Sequence, residues 1–278
     1  MCHLYRFSQK DNVQLTARVY PLATDKPAIL YVHGGGLLYG SKDDLPEPYI
    51  QAFLAAGYPF VAFDYRLAPE VALPDIYSDI QDAIKWFSNH CREIGLSHSR
   101  FIYFGRSAGS YLTFLAANDP SLPKPEKMLS FYGYHRLDFK EFTAPGYQHA
   151  ISVPKRLIDC LVEKEPLVDG PIQKRFALYI YARQSGTWIQ ELLQGSFQKI
   201  DAYQLKESDL QALPPVFIAQ SREDQDVPFY VGEMLHDKIP INEFYIVEKG
   251  EHDFDRDPSN KIASEAYRRA IAFCDSKA

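Results

Sequence analysis

The stretch Phe101-Ile102-Tyr103-Phe104-Gly105-Arg106-Ser107-Ala108-Gly109 decides how the chain reads. Four consecutive apolar residues stop at a glycine, which is the pattern of a short buried strand. Residues 105–109 then turn the chain sharply, and residues 110–117 read as a helix. A serine at the centre of such a turn stands at the head of that helix. Glycines two residues before and two after leave it room. Backbone N–H groups at the helix start and the positive end of its dipole favour negative charge beside it. G-x-S-x-G alone is common, but between a strand and a helix it makes Ser107 a candidate nucleophile. The plainer alternative is a tight structural turn.

Working outward, the same alternation recurs. The first thirty residues read as strand material with turns, and 13–19 alternates apolar and polar residues. Ala28-Ile29-Leu30-Tyr31-Val32 is a continuous apolar run, and 60–65 and 127–132 read as further strands. Helices are expected at 49–56, closed by Gly57, and at 75–90, where Ile76, Ile80, Ala83, Ile84 and Phe87 recur near helical spacing. Strand, helix, strand, helix implies an α/β chain with a parallel sheet covered on both faces. From 134 to 213 the strands stop, and helices are expected at 154–163, 172–183 and 187–194. Strands resume at 215–219 and 243–247, and a last helix covers 260–274. This predicts a core domain of residues 1–133 and 214–278 with residues 134–213 inserted as a helical cap. A second small domain is the alternative.

The 278 residues suffice for one such domain with a large core. A formal net charge of −6 argues against a nucleic-acid partner. Cys2, Cys91, Cys160 and Cys274 lie far apart with no metal-binding spacing, as expected of free thiols in a reducing compartment. No apolar run approaches the ~20 residues of a membrane span, and residues 1–6 lack a secretory apolar stretch. The expectation is a soluble cytoplasmic protein, its oligomeric state open, a homo-oligomer included.

His33-Gly34-Gly35-Gly36 follows the strand at 28–32 directly. Acyl transfer passes through an oxyanion that needs preorganised donors. The N–H groups of Gly35, Gly36 and Ala108 are the candidates. A phosphate cradle is disfavoured, because neither a P-loop ending nor G-x-G-x-x-G is present. His33 reads as a loop-holding residue. A serine hydroxyl needs a base, and His252 in Gly250-Glu251-His252-Asp253-Phe254 follows the strand at 243–247. Ser107 and His252 then share the carboxyl edge of a parallel sheet, where ligand sites gather. The base needs an orienting carboxylate. After the strand at 215–219, Asp224 and Asp226 compete for this role, with Glu223 behind them; Asp224 is preferred. The order Ser107, Asp224, His252 is that of a nucleophile–acid–base set on such a sheet.

Together with Asp64-Tyr65-Arg66-Leu67-Ala68-Pro69-Glu70, the stretches His33–Gly36 and Gly105–Gly109 make the chain similar to α/β-hydrolases of the hormone-sensitive-lipase-like carboxylesterase group. The resemblance covers roughly 25–132 and 214–274. It implies the α/β-hydrolase fold and supports Asp224 as the acid, since Ser221-x-x-Asp224-x-x-Val227-Pro228 is similar to the group's acid loop. It implies hydrolysis of small-molecule esters, with short to medium acyl chains, through an acyl-enzyme, without metal or organic cofactor. A peptidase or amidase on the same fold, and a non-catalytic ligand-binding relative, are the competing readings. Two residues depart from the group: Arg106 stands where an acid is usual, and Ser110 where glycine or alanine is usual. The N-terminus reads as too short for the group's N-terminal helical cap, so the cap is expected to come mainly from the insert. Phe176, Tyr179, Tyr181 and Trp188 within it read as core before acyl pocket.

Overall fold

The computed structural model describes residues 2–194 and 197–276. The chain opens with two strands, β1 (His3–Lys10) and β2 (Val13–Tyr20). They form an antiparallel hairpin whose turn residues Asp11 and Asn12 have φ of 47° and 63°, as tight two-residue hairpin turns require. Then come β3 (Ala28–Val32), α1 (Glu47–Ala55), β4 (Phe60–Phe63), α2 (Leu73–His90), β5 (Phe101–Arg106), α3 (Ala108–Asn118) and β6 (Met128–Phe131). Between β6 and the next strand lie α4 (Lys140–Thr143), α5 (Lys155–Ile158), α6 (Ile172–Ser185), α7 (Trp188–Leu193), a 3-10 turn (Phe197–Tyr203) and α8 (Glu207–Gln211). The chain ends with β7 (Val216–Ser221), α9 (Phe229–Lys238), β8 (Asn242–Val247) and α10 (Lys261–Asp275).

The strands make one eight-stranded sheet in the order β1-β2-β4-β3-β5-β6-β7-β8. Pairing is antiparallel at β1–β2 and β2–β4 and parallel from β4 to β8. Parallel strands are sandwiched by helices, which is why β3 to β7 are buried along their whole length. Side chains alternate between the two faces. Ile29 and Tyr31 of β3 and Ile102 and Phe104 of β5 pack with Tyr49 and Phe53 of α1 and Ala266 and Tyr267 of α10. Leu30, Val32 and Tyr103 point the other way, into the layer that holds α2 and α3. Trp188, Ile189, Leu192 and Leu193 of α7 belong to that same apolar core.

Several elements differ from the sequence expectation, the short helices α4 and α8 among them, which no expected helix covers. The helix expected at 154–163 is a single turn, α5. Its Leu157 is 43% exposed and Val162 beyond it 38% exposed, so no packing supports a longer helix. The strand expected at 60–65 ends at Phe63; beyond it the Asp64 side chain accepts from Thr16 of β2 and Tyr65 O–H donates to the His33 carbonyl. Helix α9 was not expected: only Val231 and Leu235 mark its buried side, and Gly232 interrupts the pattern. The parallel β3-β5-β6-β7-β8 stretch sets His33–Gly36, Ser107, Asp224 and His252 beyond carboxyl ends of strands on one edge.

Truncating the central strand tests this layering. Phe104→Ala, at a residue with no exposure, is expected to lower unfolding stability in urea by about 3–5 kcal/mol. Ile241→Ala, at a residue 55% exposed, is expected to change it by less than about 0.5 kcal/mol.

Candidate active site

Ser107 sits at φ 52°, ψ −120°, a backbone state a side-chain-bearing residue rarely adopts. Its neighbours leave no alternative path. A Cβ on Gly105 would lie 2.3 Å from Ser110 N, and one on Gly109 2.0 Å from Val32 O. Both glycines are therefore demanded by the close passage of β5, α3 and β3. Ser107 N donates to Phe131 O at 2.9 Å. Ser110 Oγ donates to Gly105 O at 2.6 Å, closing the turn from inside. That bond accounts for a serine where the resembled group carries glycine or alanine.

Ser107 Oγ lies 2.8 Å from His252 Nε2, and His252 Nδ1 lies 2.7 Å from Asp224 Oδ2. An ionised carboxylate only accepts, so Nδ1–H donates to Asp224 and Nε2 is left to accept the Ser107 proton. Asp224 is held in turn by Gln220 Nε2 and by the N–H groups of Asp226 and Val227, each at 2.8 Å. Asp226 instead accepts from Tyr179 O–H at 2.8 Å, and Glu223 accepts from Gly250 N at 3.2 Å. Of the three competing acids, Asp224 alone is hydrogen-bonded to His252 among the described residues. Burial alone would make His252 less basic; the charges of Asp224, Asp226 and Asp253 outweigh it and raise its pKa above 6.5.

The loop after β3 runs beside this chain of bonds. A Cβ on Gly34 would stand 3.2 Å from Ser107 Cβ. Gly35 has φ of 90°, and its carbonyl accepts from Leu38 N and Tyr39 N, which folds the loop back. The N–H groups of Gly35, Gly36 and Ala108 donate to no protein atom among the described residues. His33 is buried and stacks on Tyr65 with centroids 4.0 Å apart. Burial pushes its pKa down to about 4, so the ring is neutral. Tyr65 O–H reaches the carbonyls of His33 and Gly34, each at 2.9 Å. His33 and Tyr65 thus hold the loop.

The remaining residues of 64–70 tie distant segments to it. Asp64 accepts from Thr16 and Lys42, and Arg66 grips Asp79 with two bonds of 2.8 Å. Glu70 pairs with Arg175 of α6 at 2.8 and 2.7 Å. Trp188 Nε1 donates to Gly36 O at 2.9 Å. Arg183 lies buried between the rings of Phe142, Tyr147, Tyr179 and Trp188, 4.7–5.3 Å from their centroids, and donates to Asp226 O at 2.9 Å. Tyr179 and Trp188 are therefore core residues. Phe176 borders a separate apolar groove of about 300 Å³ with Ile151 and Val153.

A cavity of about 470 Å³ opens at Ser107 and His252. Gly34, Gly35, Tyr39 and Tyr132 line it beside the charged Asp44 and Arg256. Asp224, Asp226 and His252 bring possible metal-binding atoms within 4.8 Å of one another. Both ring nitrogens of His252, Oδ2 of Asp224 and Oδ1 of Asp226 are already hydrogen-bonded, so the cluster is arranged as a bonding network.

Residues 20–153 match the sequence family described as BD-FAE. A crystal structure of a protein with unknown function from Staphylococcus aureus subsp. aureus Mu50 is 32% identical, covers 98% of both chains and superposes with a TM-score of 0.87. An alpha/beta hydrolase superfamily protein from Enterococcus faecalis is 26% identical over 100% of this chain and 99% of its own, with a TM-score of 0.85. The chain has the α/β-hydrolase fold. Among curated proteins, Lipase 2 of Moraxella sp. (strain TA144) is 36% identical over 101 residues, which are 36% of this chain and 23% of the lipase. The chain spans 6% to 36% of the length of the curated relatives it matches. No helix among the described residues of this hydrolase-fold chain is long and apolar enough to cross a membrane.

The raised basicity of His252 is open to titration by NMR. Its pKa is expected above 6.5 in the native protein, and Asp224→Asn is expected to lower it. A group whose folded pKa is raised adds stability fully below the unfolded value and loses it as pH rises through the folded value. The native protein should accordingly lose stability relative to Asp224→Asn as pH is raised from 6 through the His252 titration.

Proposed function

We propose that the protein is a serine-dependent carboxylic ester hydrolase. The observation that carries this reading is the continuous bond chain Ser107–His252–Asp224, which opens on a cavity beside unengaged backbone donors. Ser107 Oγ attacks the ester carbonyl while His252 Nε2 takes its proton. The resulting oxyanion is held by the N–H groups of Gly35, Gly36 and Ala108. His252 returns the proton to the leaving alcohol, and an acyl group remains on Ser107. Water then attacks this acyl-enzyme, again losing a proton to His252, and the carboxylic acid leaves. Asp224 fixes the imidazole tautomer and offsets the charge that His252 gains. No step of this scheme calls on a metal or organic cofactor. The ester-cleaving activity named for the Moraxella lipase agrees with it.

Residues 134–213 act as a cap in this reading. Support comes from Trp188 on Gly36 and from Arg175 on Glu70, which bind the insert to the oxyanion loop and to the loop behind it. The space beyond Gly36 is filled by Tyr179 and Trp188, packed around Arg183. That favours short acyl groups over long ones. The four cysteines are free thiols, which suits the cytoplasm.

Ser107→Ala is expected to lower kcat/KM for p-nitrophenyl acetate by about 10⁴-fold or more, and Asp224→Asn by about 10⁴-fold. Asp226→Asn should cost less than about tenfold. Undiminished turnover by Ser107→Ala overturns the proposal. Because His252 must be neutral to accept a proton, kcat/KM should rise with pH through a limb above 6.5. Across a series of p-nitrophenyl esters, acetate and butyrate should be cleaved faster than decanoate, and each ester faster than its matching anilide.

A further inference from the structure

Arg106 and Asp255 form a buried ion pair that spans the two loops whose side chains must meet. Arg106 is the residue before Ser107, and Asp255 lies three residues after His252 on the same loop. Their side chains are 10% and 0% exposed. Arg106 Nη2 donates to Asp255 Oδ1 at 2.7 Å and Nε to Tyr132 Oη at 2.6 Å. Tyr132 O–H donates to Asp255 Oδ1 and Tyr267 O–H to Asp255 Oδ2, both at 2.6 Å. The Asp255 carboxylate therefore accepts three bonds from protein donors. Tyr132 has φ of 41°, and its ring centroid stands 4.6 Å from that of His252.

We propose that the Arg106–Asp255 pair, with Tyr132 between them, is a positioning device that sets the distance from Ser107 Oγ to His252 Nε2. The inference rests on the hydrolase reading above. Along the chain the two atoms are 145 residues apart, and among the described residues the His252 ring bonds only Asp224 and Ser107. Those bonds orient the ring; they do not fix its loop against the turn that carries Ser107. The path Ser107–Arg106–Asp255–His252 does. It crosses one charge-assisted bond, from Arg106 Nη2 to Asp255 Oδ1, while Nε of the same planar guanidinium donates to Tyr132 Oη, so that the two bonds together fix distance and direction. Tyr132 adds a side wall, bonding both ends of the pair while its ring packs on the imidazole. Stability alone does not explain a pair of this kind, since buried ion pairs are often replaceable by apolar groups without loss. Its place between nucleophile and base does. The basic residue that departs from the resembled group thereby acquires a partner 149 positions away.

The test separates folding from positioning. Arg106→Met alone leaves Asp255 charged and buried, so its melting temperature should fall. The charge-neutral pair Arg106→Met/Asp255→Asn should regain most of that loss. Its kcat on p-nitrophenyl acetate should nevertheless stay about 100-fold down, the order expected of a misplacement near 1 Å, with KM within about threefold. Arg106→Lys keeps the charge and loses the fork; it should fold like the native protein and show kcat lowered about tenfold or more. Recovery of kcat together with melting temperature in the double variant, or native kcat in Arg106→Lys, overturns the proposal. So does a raised KM with native kcat, which would make Arg106 a substrate contact. Ser107→Ala is assayed in parallel. If it stays active, the hydrolase reading fails; if it is inactive while the double variant has native kcat, only the positioning role fails.

Discussion

The passage of β3, β5 and α3 within contact distance of one another forces Ser107 into φ 52°, ψ −120°. Strain of this kind costs of order 1–3 kcal/mol and persists only where the surroundings over-determine it. Here Gly105 and Gly109 have no room for a side chain, Ser110 closes the turn onto Gly105 O, and Phe131 O fixes Ser107 N. The buried layers on both faces of the sheet offset the strain. Once that turn is fixed, the rest of the edge is arranged around it. The His33–Gly36 loop lies against it, and the loops after β7 and β8 deliver Asp224 and His252 to it.

Buried charge gives these loops their register. Glu70–Arg175, Arg106–Asp255 and the caged Arg183 each join segments far apart in the chain, and Arg66–Asp79 ties the 64–70 loop to α2. Such pairs contribute little net stability, but leaving one member alone is costly. Loops so joined have few alternative positions. Neutral His33 and Tyr65 do the same for the glycine loop by stacking and carbonyl bonding. The site is thus preorganised by contacts that lie outside its own bond chain, as the oxyanion stabilisation proposed above would require.

Much of this was legible in the sequence because the information is local. Parallel strands announce themselves as short apolar runs, and Ser107, Gly35, Gly36, Asp224 and His252 each lie in the loop or turn that follows one. The preference for Asp224 over Asp226 agrees with the bond to His252, although periodicity could not separate them. What stayed hidden depends on distance along the chain. Nothing near Arg106 points to Asp255, and nothing near Arg183 points to its four aromatic neighbours. Local pattern also misled at α5, where Leu157 and Val162 suggest an amphipathic helix but have nothing to pack against. At α9, Gly232 and a narrow buried stripe masked a helix that tertiary contacts stabilise.

The central claim is that Ser107 is an activated nucleophile, and covalent labelling tests it most directly. The protein is treated with a fluorophosphonate and the adduct mapped by peptide mass spectrometry. A single adduct on Ser107, formed far more slowly in His252→Ala, is the predicted result. No adduct on folded protein, an adduct elsewhere, or labelling of Ser107 at the same rate without His252 would contradict it.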